Sequence, residues 1–143
     1  MDSKTTLASL KKASPGRRPQ ADSRGLDVSF QYWKRRVEKF CTARDWDQFH
    51  GAKDLAIGAI TEAAELLEHF RFKSDQEIEA MFKNKAKREE IEDELADVLF
   101  FVVRFAQRYD IDLGKAAKRK LKKSGRKYPV SKAKGSNKKY TDL

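Results

Sequence analysis

Four carboxylates occupy positions where a helix is expected to bury apolar side chains. Glu62 and Glu65 lie three residues apart, and Glu94 and Asp97 repeat that spacing; both pairs run directly into apolar residues. On a helix, two such side chains share one face, about 60° apart. Four carboxylates facing one interior would repel one another unless a cation lay between them. All-oxygen donors favour Mg²⁺, Mn²⁺ or Ca²⁺ over zinc, so the spacing predicts a divalent-cation site shared by two helices.

The alternative is a solvated acidic face, in which Glu62 and Glu65 pair with neighbours such as Arg71 or Lys73. Acidic residues at this spacing are common on exposed helices. On a helical wheel, however, the second pair projects from the apolar side, and the first pair lies at the margin of the apolar stripe. Two inward pairs favour the cation site. Mg²⁺ shares its coordination with waters and phosphates, so the site suits a nucleotide as readily as a structural ion.

Apolar periodicity predicts an all-α chain, because no segment alternates with period two for long enough to form a strand. The first helix begins near residue 28, with Asp27 or Ser29 as its cap. The predicted organisation is a disordered N-terminal arm, an all-α domain, and a basic C-terminal tail that completes or flanks the site, over 1–25, 26–123 and 124–143. Within the domain, the remaining helices are predicted over about 51–70, 87–109 and 110–123, with a loop or short exposed helix over 73–88.

The net charge of +10 belongs to the two ends of the chain. Residues 115–143 carry twelve basic residues against one acidic residue, whereas residues 26–114 carry fourteen basic and nineteen acidic residues. Basic ends are typical of solvated tails or of weak nucleic-acid affinity, and no base-reading module is apparent. The single cysteine, Cys41, excludes an internal disulfide and a cysteine zinc site. No stretch has the length of a membrane span or the apolar core of a signal peptide, so a cytoplasmic protein is expected.

Five stretches together resemble one known family. They are "EAAELLE" (62–68), "DELADVLFF" (93–101), "ARDWDQFHGAKDL" (43–55), "RKYP" (126–129) and "KGSNKKYTDL" (134–143). They resemble the MazG-like group of all-α nucleoside triphosphate pyrophosphatases, in its dCTP pyrophosphatase branch. The resemblance implies Mg²⁺-dependent hydrolysis of a nucleoside triphosphate to the monophosphate and pyrophosphate, with Mn²⁺ as an alternative ion. It also implies a MazG-like helical bundle that forms a homo-oligomer, a dimer or a tetramer.

The resemblance implies roles for particular positions. The metal ligands are expected to be Glu62, Glu65, Glu94 and Asp97. One of these carboxylates takes a proton from the attacking water; we assign this role to Glu62, with the other three as alternatives. The expected substrate wall comprises Trp46, Asp47, Gln48, Phe49 and His50, with Phe72 and Phe101. The expected phosphate contacts come from the C-terminal part, at Lys120, Arg126, Lys127 and the adjoining Tyr128.

Some positions depart from the branch. Val37, Phe72, Phe101 and Ser124 stand where it has histidine, tryptophan, tyrosine and asparagine, respectively. Polar readers of the base are thereby lost, so weaker selectivity for dCTP is expected. Two alternatives remain: a non-enzymatic basic protein that binds nucleic acid and holds a structural metal, and an inactive interaction module of the same fold.

The most apolar helix also bears on assembly. It is apolar almost all round from Val98 to Phe105, with Phe100 and Val103 opposite Phe101. A small helical monomer is not expected to cover both sides. The sequence therefore predicts that a second copy covers one of them.

Overall fold

The computed structural model describes residues 29–143. The predicted N-terminal arm, residues 1–25, and the alternative cap Asp27 lie outside the described residues. All regular elements within residues 29–143 are helical, which confirms the all-α class. They are α1 (Phe30–Thr42), a 3₁₀ turn (Trp46–Phe49), α2 (Ala52–Glu68), α3 (Asp75–Lys83), α4 (Lys85–Arg108), α5 (Leu113–Lys127), α6 (Val130–Ala133) and a C-terminal 3₁₀ turn (Tyr140–Asp142).

Side-chain caps define several of these helices. Ser29 Oγ accepts from the Tyr32 N–H at 3.2 Å, so Ser29 is the cap of α1. Asp112 caps α5 by accepting from the Lys115 N–H. The predicted end of α5 near residue 123 is wrong, because the helix continues to Lys127. Pro129 disfavours helical backbone at the residue before it, and that is where α5 stops.

The core forms where α4 lies between α1 and α2. Val37 and Cys41 of α1 are buried with Val103 of α4, and Phe100 and Leu113 pack against them. On the other side of α4, α2 approaches closely at Gly58. A Cβ there would lie 2.2 Å from a ring carbon of Phe101, so glycine permits this helix contact. The two helices that carry the carboxylate pairs therefore pack closely against each other.

This arrangement corrects the argument for a covering partner. Phe100 and Val103 pack against α1, and Phe101 packs against Gly58 of α2, so both of these sides of α4 are covered within one chain. Large apolar side chains still face outward elsewhere on α2 and α4, namely Ile57, Ile60, Leu67, Leu95, Leu99 and Val102. Assembly therefore stays a prediction that rests on different residues. Among residues 29–143, no helix is long and apolar enough to cross a membrane.

Candidate functional site

The structure brings three of the four predicted carboxylates together. One carboxylate oxygen each from Glu62, Glu65 and Glu94 lies within 4.8 Å of the others. Glu62 and Glu94 are half-buried, and Glu65 is exposed. Asp97, one turn beyond Glu94, is exposed and falls outside this tight group. We call these four residues the acidic cluster.

Charge repulsion is already present in the acidic cluster. Burial raises the pKa of Glu62 above its ordinary value, and repulsion from Glu65, Asp97 and Glu94 raises it further. Asp97 is therefore near enough to Glu62 to act on it electrostatically. A divalent cation would relieve this repulsion, and a donor set made only of carboxylate oxygens fits Mg²⁺ or Mn²⁺.

The close contact between α2 and α4 positions the acidic cluster. Gly58 lies one helical turn before Glu62, and Phe101 lies one turn after Asp97. Because the Phe101 ring packs directly on Gly58, the neighbouring turns that carry the carboxylates must also face each other. Phe101 is thus both a helix contact and a neighbour of the cluster. The resemblance implies a substrate contact at this residue, and the helical wheel places it on the apolar side of the helix; the structure packs it on Gly58.

Aromatic rings connect Phe101 to the turn between α1 and α2. Phe101 and Phe100 meet edge to face with centroids 5.5 Å apart, and Phe100 meets Phe40 at 6.1 Å. Phe40 in turn meets Trp46 at 5.7 Å. The Arg44 guanidinium lies 3.6 Å from the Phe40 ring centroid, a cation–π contact. Trp46 is partly exposed at the end of this row, as a wall residue must be.

A groove between α1 and α4 adjoins this aromatic row. One cavity of about 450 Å³ is lined by Trp33, Arg36, Val37, Lys39, Phe40, Ala43, Arg44 and Phe100. A second cavity of about 300 Å³ shares three of these residues and extends to Asp97; it is lined by Trp33, Val37, Ala96, Asp97, Leu99, Phe100 and Val103. The smaller cavity therefore reaches the acidic cluster at Asp97, and the larger one, with aromatic and basic walls, adjoins it. Such a lining suits a flat ring attached to an anionic group.

The predicted wall segment is held by α4. Asp47 pairs with Arg104 through Oδ1, and its Oδ2 lies 3.9 Å from Arg108 Nη1. His50 Nδ1 accepts from Arg104 Nε at 2.9 Å. The Arg104 hydrogen bond and positive charge, which outweigh partial burial, lower the pKa of Asp47. Asp47 therefore has a structural partner in addition to its predicted substrate role.

The other two members of the segment are less constrained. Gln48 is exposed, and its Nε2 donates to the backbone oxygen of Asp45 at 3.1 Å and to its Oδ2 at 2.8 Å. Phe49 is also largely exposed. Asp45 has a left-handed backbone with a φ of 53°, which turns the chain out of α1 and into this segment.

Arg104 is the residue that the sequence reasoning misses. It is fully buried, although it carries a charge that cannot be removed at any physiological pH. The available signal is its position inside the apolar run 102–106, where a charge requires a buried partner. Asp47 and His50 are those partners, more than fifty positions earlier in the chain.

The remaining predicted site residues form no hydrogen bond or ion pair with the acidic cluster in the part of the chain that the structure describes. Phe72 follows α2 with a left-handed backbone and is 91% exposed; the Arg71 guanidinium lies 4.8 Å from its ring centroid. Lys120 and Arg126 are exposed on α5. Lys127 Nζ lies 4.6 Å from the Tyr140 ring centroid, and Tyr128 meets the same ring at 5.9 Å. Over residues 29–143, none of these basic side chains forms an ion pair with the acidic cluster.

Comparison with known proteins gives the class of this chain. The model of the MazG-like family matches residues 57–143, a range that contains the whole acidic cluster. The chain belongs to the MazG-like family, as the sequence motifs predict.

Two relatives and one solved structure are similar to this chain over most of its length. The chain is 38% identical to dCTP pyrophosphatase 1 of Rattus norvegicus over 105 residues and 36% identical to that of Homo sapiens, covering 73% of this chain in each case. It spans 62% of the length of these relatives. A solved structure of a pyrophosphatase from Archaeoglobus fulgidus DSM 4304 aligns with a TM-score of 0.62 and 34% identity, over 66% of this chain and 87% of that one.

Proposed function

We propose that this chain is a Mg²⁺-dependent nucleoside triphosphate pyrophosphohydrolase, acting on dCTP or related pyrimidine deoxynucleotides. The observation that carries the proposal is the convergence of Glu62, Glu65 and Glu94 within 4.8 Å, with Asp97, the fourth member of the acidic cluster, lining the groove between α1 and α4. The similarity to proteins named dCTP pyrophosphatase 1 and to a solved pyrophosphatase supports the reaction class. A role in clearing nucleotides from a cytoplasmic pool is the corresponding biological proposal.

The acidic cluster would hold Mg²⁺, with Mn²⁺ as the alternative. The ion would supply positive charge beside the phosphate oxygens and lower the pKa of a bound water. The chain's own residues do the rest. Glu62, half-buried between the two helices, accepts the proton of the attacking water at its carboxylate. The water oxygen bonds to the α-phosphorus, the bond to the β-phosphate bridging oxygen breaks, and pyrophosphate leaves.

The groove between α1 and α4 is proposed to take the base. Its aromatic walls offer stacking to any base, and stacking discriminates weakly. The Trp46–His50 segment adjoins the groove through the contact of Trp46 with Phe40, and Phe101 lies on the side of the acidic cluster. Because Val37 lines the groove where a polar residue would read the base, the proposed selectivity among pyrimidines is modest.

Phosphate contacts from the C-terminal part and the exposed ring of Phe72 are proposed to act in a homo-oligomer. Within residues 29–143 of one chain these residues form no ion pair with the acidic cluster, and large apolar side chains on α2 and α4 face outward. A dimer or tetramer would cover those side chains and place one chain's basic segment near another chain's site. Association would therefore complete the substrate pocket.

The direct test incubates the purified chain with a panel of dNTPs and NTPs plus Mg²⁺ in ¹⁸O-water. We expect nucleoside monophosphate and pyrophosphate, with the label in the monophosphate because water attacks the α-phosphorus. Glu65→Gln should abolish product. Glu68→Gln is the matched control, because Glu68 lies on the same helix but pairs with Arg71 at 3.0 Å. Release of inorganic phosphate alone, or equal activity of both variants, would contradict the proposal.

The same preparation tests the non-enzymatic alternative. If the acidic cluster holds only a structural ion, Mg²⁺ should raise the melting temperature while every nucleotide stays intact. A nucleic-acid ligand would then have to be bound by the exposed basic face of α5, with affinity falling steeply as salt increases.

A further inference from the structure

The buried guanidinium of Arg104 makes three hydrogen bonds, each to a different side chain. Its Nε donates to His50 Nδ1 at 2.9 Å, one Nη donates to Asp47 Oδ1, and the other donates to Gln107 Oε1. Gln107 Nε2 in turn donates a hydrogen bond to Glu38 Oε1 of α1 at 3.0 Å. The guanidinium therefore ties α1, α4 and the turn between α1 and α2 into one polar network.

Arginine can only donate, and this fixes the chemistry of the His50 ring. A nitrogen that accepts a hydrogen bond carries no proton, so Nδ1 must present its lone pair to Arg104. In a neutral imidazole the proton then lies on Nε2. The ring meets Trp46 edge to face with centroids 6.0 Å apart, within the candidate substrate wall.

We propose that Arg104 is a positioning residue that holds His50 as the neutral imidazole with its proton on Nε2, so that His50 meets the substrate as a hydrogen-bond donor. The part that concerns substrate rests on the proposed function. A fixed donor recognises an acceptor on the substrate, such as a base carbonyl. It gives the proposed pocket a polar group that can read the base, which the apolar residues Val37 and Phe101 do not supply.

The surroundings of His50 agree with a neutral ring. Burial lowers the pKa of His50, and the positive charge of Arg104 lowers it further. Asp47 opposes this shift less strongly, and the effects of Arg108, which lowers the pKa, and Asp54, which raises it, are smaller still. Arg108 Nε also donates to the His50 backbone oxygen at 3.4 Å. The two arginines, one helical turn apart on α4, thus fix both the ring and the backbone of His50.

The ring assignment is tested without any nucleotide. The chain has two histidines, His50 and His69, so long-range ¹H–¹⁵N spectra contain two ring systems, and His69→Gln identifies which is which. At neutral pH we expect His50 to show an unprotonated Nδ1 and a protonated Nε2. A proton on Nδ1, or a charged ring, would overturn the proposal whether or not the chain hydrolyses nucleotides.

Substitutions then separate positioning from folding. In Arg104→Met the ring should become a mixture of tautomers, and KM for dCTP should rise about tenfold, the effect of roughly 1.4 kcal/mol, with a smaller change in kcat. Arg104→Lys, which keeps a charged donor, should recover part of the KM. Arg108→Met is the control, because it removes the contact with the His50 backbone and the ion pair with Asp47 but no hydrogen bond to the ring, and it should leave the tautomer unchanged.

The outcomes are distinguishable from a failure of the proposed function. If no nucleotide is hydrolysed, the Kd of dCTP replaces KM and the spectra still decide the ring assignment. If Arg104→Met does not fold, the wild-type spectrum and Arg104→Lys decide it. Unchanged KM and an unchanged His50 spectrum in a folded Arg104→Met would refute the positioning role.

Discussion

Replacing Gly58 by alanine tests the contact that aligns the two carboxylate-bearing helices. The added Cβ would lie 2.2 Å, 2.5 Å and 2.6 Å from three carbons of the Phe101 ring, whereas ordinary contacts begin at 3.4 Å. The ring or the helix must therefore move by about 1.2 Å. Overpacking of this kind costs about 1–3 kcal/mol, and the better helix propensity of alanine offsets at most about 1 kcal/mol. We expect a net destabilisation of about 1 kcal/mol in urea unfolding.

The consequence for function should exceed the consequence for stability. Moving α2 from α4 separates Glu62 and Glu65 from Glu94, so a higher Mg²⁺ concentration should be needed for half-maximal turnover. Gly125→Ala is the matched control on α5, because a Cβ there meets nothing within 4 Å. That variant should be as stable as the wild type or gain up to about 1 kcal/mol. If Gly58→Ala gains stability as Gly125→Ala does, with unchanged Mg²⁺ dependence, the packing argument is refuted.

Four further predictions concern charge, assembly and selectivity. Glu94→Gln and Asp97→Asn should each remove most turnover while the circular dichroism spectrum stays unchanged. Glu94→Gln should also raise the melting temperature measured without metal. Near-normal Mg²⁺-dependent turnover in either variant would exclude the substituted residue as a ligand. Asp47→Asn should lower the melting temperature at neutral pH. Arg104 depresses the pKa of Asp47 below its ordinary 3.8. The difference in melting temperature between the wild type and Asp47→Asn should therefore be full above pH 3.8 and should disappear as the pH falls through the lowered pKa of Asp47 in the folded chain. Light scattering should give a mass above the 16.5 kDa monomer at micromolar concentration, and a stable monomer would contradict the oligomer. Finally, kcat/KM should favour dCTP over dTTP by less than about a thousandfold, since a mostly apolar pocket discriminates by about 10² and His50 adds a single donor.

The helices were largely predictable because burial leaves a period in the sequence. α1, α2 and α4 each carry an apolar stripe, and their predicted ranges agree with the structure to within a few residues. The segment at 73–88 carries charges in place of a stripe, so its helix α3 was only one of two alternatives. Its Ser74–Glu77 capping box is the local signal that favours a helix there.

The candidate site was predictable in part. The wheel places each carboxylate pair on one face, and three of the four residues do converge. A helical wheel gives the direction in which a side chain leaves its helix but not its distance from the neighbouring helix. It therefore cannot distinguish half-buried Glu94 from exposed Asp97. Arg104 was missed because its partners lie far away in the chain, and no local pattern records that Asp47 and His50 meet it. The same limit applies to α1, which covers Phe100 and Val103 through a contact that no single helix pattern contains.

The turn between α1 and α2 depends on a helix made much later in the chain. The hydrogen bonds of Arg104 to His50 and Asp47 span 54 and 57 positions of the sequence. The hydrogen bond from Gln107 of α4 to Glu38 of α1 spans 69 positions. We expect such distant contacts to form late in folding, because the chain loses the entropy of closing a long loop before the contact contributes any free energy. During synthesis α1 and α2 leave the ribosome first, and the turn that joins them acquires its final shape only when Arg104 has emerged. The segment 46–50 is therefore ordered by the arrival of α4, and its backbone amides should exchange with solvent whenever α4 undocks.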